Sequence, residues 1–84
     1  MINNTTKQFE SVINDCKKIF VSKMKDYGIA WRILRTSSLT DQIYIKANRI
    51  RSIDTKGIKK INEGIKPEFI GIINYSAMAL IQLE

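Results

Sequence analysis

The last 18 residues, Pro67 to Glu84, contain 11 apolar residues and only two charges, both glutamates. Those apolar residues do not keep to one face. A helix of that kind has to be covered nearly all round, and a chain of 84 residues has little else with which to cover it. The tail therefore predicts both an all-helical architecture and a neighbour that shields it.

Length and composition narrow the rest. Eighty-four residues, 44% of them apolar, read as a single globular helical domain spanning 1–84. The lone cysteine, Cys16, excludes an internal disulfide and a cysteine-built zinc site. The absence of histidine removes histidine-based acid–base and nucleophilic chemistry. The opening stretch MINNTTKQFE has no signal-peptide core. Asn74, Ser76 and Gln82 interrupt the tail, which also falls short of the roughly 20 apolar residues of a span. No membrane partner and a cytoplasmic location are the expectations. The formal charge of +6 biases the chain toward polyanions, but its basic residues come in scattered pairs without a nucleic-acid motif. Solubility is the leading explanation of that charge, ahead of nucleic acid or nucleotide phosphates.

Three main helices are expected. In the first, about residues 5–24, Phe9, Val12, Ile13, Cys16, Ile19 and Phe20 recur at helical spacing and form one stripe. Asp26-Tyr27-Gly28 is expected to stop it, glycine permitting a positive φ and aspartate folding back on the backbone. A short helical segment near 29–34 carries Trp31, the largest side chain available to plug the core. Ser38 followed by Asp41 reads as an N-cap with an acid at N3, opening a second helix over about 38–53. Leu39, Ile43, Ala47 and Ile50 form its core stripe, with Asp41, Ile45, Asn48 and Ser52 opposite. Asp54-Thr55-Lys56-Gly57 ends that helix, and a polar connection over 59–66 leads to Pro67 as the first residue of a third helix, about 67–83. A homo-oligomer, dimer or tetramer, is expected to complete the bundle.

The polar residues offer three candidate groups. Asp26, Asp41 and Glu68 are candidate ligands for a hard cation such as Mg²⁺, with Asn48 and Asn74 as weaker ones. Each carboxylate also has an ordinary explanation: Asp41 as a cap, Glu68 as an acid at the positive end of a helix, Asp26 as a turn former. Antiparallel helices would moreover set the starts bearing Asp41 and Glu68 at opposite ends. Asn48, Asn74 and Tyr75 form a candidate polar core, because an unpaired buried amide costs about 1–3 kcal/mol. Arg32, Arg35, Lys46 and Arg49 could hold a triphosphate through their charge and guanidinium forks, or simply snorkel into water.

The sequence Lys25-Asp26-Tyr27-Gly28, then Ala30-Trp31-Arg32, Leu34-Arg35, Thr40-Asp41, Lys46, Arg49-Ile50, Glu63-Gly64 and Asn74-Tyr75 resembles the nucleotide modification associated domain 1 family. That family was first described as a domain of unknown function in Bacteroidetes. The resemblance runs from about residue 12 to the end. It implies an intracellular, nucleotide-associated domain, one unit of a longer tandem protein, with Lys25, Tyr27 and Trp31 joining the candidate nucleotide-binding residues. A more distant resemblance is to the all-α NTP pyrophosphohydrolases of the MazG type, which use Mg²⁺ held by helix carboxylates. Glu68 matches the first residue of their E-x-x-D element, but Gly71 stands at the aspartate position, and the first helix offers only Glu10 and Asp15 toward their glutamate pair.

Three functional readings follow. A nucleotide-binding module without catalysis ranks first, beside a Mg²⁺-dependent MazG-like pyrophosphohydrolase and a structural oligomerisation domain. Whether the chain is an enzyme stays open at the level of its residues.

Overall fold

A computed structural model describes residues 2–55 and 61–84. The described chain is all-α: α1 (Ile2–Tyr27), a 3₁₀ turn (Ala30–Ile33), α2 (Thr36–Thr55) and α3 (Ile61–Gln82). The three expected helices are present, each longer than its sequence pattern suggests. The chain divides into two compact units, 1–30 and 31–84.

The first unit is α1. Its apolar stripe has Cys16 buried in the middle and Phe20 and Met24 half-buried, while Phe9, Val12, Ile13 and Ile19 stay exposed. Asp26 and Tyr27 do not break the helix; they form its last turn. The stop is Gly28 alone, with φ of 75° and its amide donating to the Met24 carbonyl at 2.8 Å. That single bond from a left-handed residue is the αL cap, which a residue without a β-carbon adopts at no steric cost.

The second unit is an antiparallel hairpin of α2 and α3. The expected cap at Ser38 is corrected: the amides of Ser38 and Leu39 both donate to the Arg35 carbonyl, so α2 opens at Thr36 and Ser38 lies inside its first turn. Asp41 therefore stands beyond the first turn, too deep to cap. Asp54 and Thr55 are helical, whereas Lys56 and Gly57 lie outside the described residues, as do Lys59 and Lys60 of the expected connection.

Pro67 is the larger correction. It stands inside α3, which already runs from Ile61. Proline at that depth removes the bond that an amide at 67 would donate to the Glu63 carbonyl. Packing offsets the loss: a β-carbon on Gly64 would lie 3.4 Å from Ile53 Cδ1, so the turn before the proline already rests on the end of α2.

The seam of α2 runs through Leu39, Ile43, Lys46, Ile50 and Ile53, at alternating steps of four and three. Leu39 and Ile50 are buried and the other three half-buried. Ala47, expected in the core, is exposed, because the four-three rhythm that keeps Leu39 and Ile50 on one line selects 46 instead. On α3 the matching row is Gly64, Glu68, Gly71, Tyr75 and Gln82, identified by their contacts with α2 or the segment before it.

Candidate functional site

Two polar clusters form along the hairpin. The first surrounds Lys46. Its side chain is only 19% exposed and lies across Gly71, where a β-carbon would sit 2.5 Å from Lys46 Cε. The bare glycine backbone gives the lysine stem its channel. The ammonium ends 3.8 Å from Glu68 Oε2 and 5.8 Å from the centre of the Tyr75 ring, a cation–π distance. Arg49 Nη1 approaches the other carboxylate oxygen, Oε1, at 3.5 Å. Glu68 is 14% exposed and so has one cation beside each oxygen, leaving the trio with a net positive charge.

The second cluster caps the end of the hairpin. The Arg32 guanidinium lies 5.4 Å from the centre of the Trp31 ring. Gln82, in the last turn of α3, donates through Nε2 to the Arg32 carbonyl at 2.6 Å and to the Leu34 carbonyl at 2.9 Å. These bonds fasten the 31–34 segment to α3 and place Arg35 directly before the amino end of α2. The first turn of α2 holds no acid, and with the Ser38 and Leu39 amides given to the Arg35 carbonyl, those of Thr36 and Ser37 are the ones left without a helical acceptor. Thr36, Ser37 and Ser38 add hydroxyls there. Among the described residues neither Arg32 nor Arg35 forms an ion pair.

The four candidate phosphate-binding cations are therefore split in two. Lys46 lies 11 residues beyond Arg35 on α2, about 17 Å at the helical rise. Lys25, Asp26 and Tyr27 belong to the last turn of α1, in the other unit, where Lys25 lines a shallow groove with Asn14, Lys17, Lys18, Val21 and Ser22. Asn74 and Tyr75 are half-buried on α3, but Asn48, expected in the polar core, is exposed because the α2 seam passes through 46 and 50.

Mg²⁺ in nucleotide sites is usually held by one or two carboxylates together with waters and substrate phosphates. Among the described residues no three acids gather into one metal-binding group. Glu68 is already flanked by two cations, and Asp41 is exposed more than a turn nearer the amino end of α2 than Lys46. The space that a second carboxylate at position 71 would need is filled by the Lys46 stem.

The family described as nucleotide modification associated domain 1 matches residues 23–83. The chain belongs to that family. No curated protein and no solved structure matches it. The family match takes in the whole hairpin and both polar clusters, while most of α1 precedes it. Within this family member, the roles of two residues were not legible in the sequence. Gly71 registered only as a missing aspartate, although a glycine inside an otherwise apolar helix often has a packing reason. Gln82 registered as an interruption of the apolar run.

Proposed function

We propose that this nucleotide modification associated domain binds the phosphates of a nucleotide at the amino end of α2, and that the chain alone does not hydrolyse them. The observation that carries the reading is the contrast between the two clusters. Lys46 and Arg49 are engaged with Glu68, whereas Arg32 and Arg35 flank a helix start that has no acid in its first turn. Helix amides, hydroxyls and guanidinium forks close together in sequence are the kinds of group that suit phosphate oxygens. The family description supplies the nucleotide. A second copy of the chain is the other partner we propose, and the tandem arrangement implied by the resemblance would supply an equivalent neighbour within one polypeptide.

The MazG-like alternative has one observation in its favour. Glu68 Oε2 is buried and accepts no hydrogen bond, and a cation could use that atom if Lys46 withdrew.

The test is a thermal-shift screen of nucleoside triphosphates with and without Mg²⁺, paired with an assay for released pyrophosphate and phosphate. The expected result is stabilisation that needs no Mg²⁺, disappears in Arg32→Ala/Arg35→Ala, and is accompanied by no product. Product formation would replace the binding reading with the pyrophosphohydrolase one. A shift that survives the double substitution would place the phosphates elsewhere.

A further inference from the structure

The most apolar of the described helices touches α2 or the segment before it through Gly64, Glu68, Gly71, Tyr75 and Gln82, among others. None of the described side chains of α3 is fully buried. The side opposite α2 presents Phe69, Ile73, Ser76 and Leu80, at steps of four, three and four. Phe69 is 51% exposed and Leu80 67% exposed. Lys66 stands on the same side one turn before Phe69, and Glu84 follows the helix, its amide held by the Ile81 carbonyl at 3.2 Å.

The spacing of that row is the same from both ends. Phe69 and Leu80 are large residues about 17 Å apart along the axis, with Ile73 and the small Ser76 between them. Laid antiparallel on a second copy about a two-fold axis midway between Asn74 and Tyr75, Phe69 meets the other helix's Leu80. Ile73 then falls opposite the other Ser76, large against small. The same register carries Lys66 to the other chain's Glu84, opposite charges at both ends of the contact. Self-complementarity of this kind is what a two-fold interface demands of a single surface.

We infer that α3 pairs antiparallel with α3 of a second copy through Phe69, Ile73, Ser76 and Leu80, with Lys66 and Glu84 setting the register. This inference does not rest on the nucleotide reading.

Sedimentation equilibrium across the micromolar range tests it. The chain is expected to be dimeric at high micromolar concentration. Leu80→Glu should weaken the dimer by about tenfold or more while helicity by circular dichroism is retained, since Leu80 is mostly exposed in a single chain. Lys66→Glu should weaken it and the double reversal Lys66→Glu/Glu84→Lys should restore it. A monomer throughout the range would overturn the inference. A dimer indifferent to Leu80→Glu, or a double reversal that fails to recover, would also overturn it by placing the contact on another surface.

Discussion

Lys46 shows how much one side chain decides in a chain this small. A lysine on the seam of a helical hairpin keeps its charge only where a channel, a counter-ion and an aromatic face coincide. Gly71, Glu68 and Tyr75 provide all three on one row of α3. The interaction falls between two regimes. Exposed ion pairs are worth up to about 1 kcal/mol, and breaking a fully buried one costs about 3–5 kcal/mol. Glu68→Gln leaves a mostly shielded ammonium without its counter-charge and is expected to cost about 1–2 kcal/mol in urea unfolding, with an unchanged slope. Arg49 is 62% exposed, and Arg49→Ala should cost no more than about 0.5 kcal/mol. Equal losses from the two substitutions would mean that Lys46 does not depend on Glu68. The chemistry of these residues was legible as a list of charges. Their pairing was not, because Lys46 and Glu68 are 22 positions apart and only the hairpin makes them neighbours.

At the scale of elements, periodicity exposed the first two helices, a dense apolar run the third, and Gly28 the end of α1. Periodicity and the glycine cap both act within about four residues, the span of a helical hydrogen bond. Pro67 was the misleading signal. As a local cue it says that a helix begins; in the fold it interrupts one that begins six residues earlier. Pro67→Ala returns an amide to the Glu63 carbonyl and relieves the clash of the ring with the preceding turn. It is expected to stabilise the protein by about 1–3 kcal/mol, raising the thermal midpoint. A lowered midpoint would show that the proline is itself needed for the seam against α2. Gln82 carries the complementary lesson, since a polar residue late in an apolar helix turns out to tie the 31–34 segment to α3.

For the whole molecule, the net charge of +6 sets the two proposed interactions against each other. Two copies of a cationic chain repel at long range, so added salt should tighten the α3 pairing by screening them. The same salt weakens the attraction of a phosphate to Arg32 and Arg35. Raising the ionic strength from about 0.05 to 0.5 M is therefore expected to lower the dimer dissociation constant and raise the nucleotide dissociation constant. Sedimentation equilibrium and calorimetric titration on the same samples would check both. Parallel responses would mean that one of the two interactions is not what it is proposed to be. Among the described residues no helix is long and apolar enough to cross a membrane.

The residues by themselves determined that this chain is helical, that a glycine at 28 helps close its first helix, that its charge favours anions, and that an internal disulfide, a cysteine-built zinc site and histidine chemistry are closed to it. Those properties follow from composition and from interactions within a turn or two. Only the tertiary structure decided that α3 starts at Ile61, that the seam of α2 runs through Lys46 rather than Ala47, and that the candidate cations fall into two clusters. Each of these depends on contacts between residues many turns apart, where packing overrides propensity because one buried seam contributes more than any local preference.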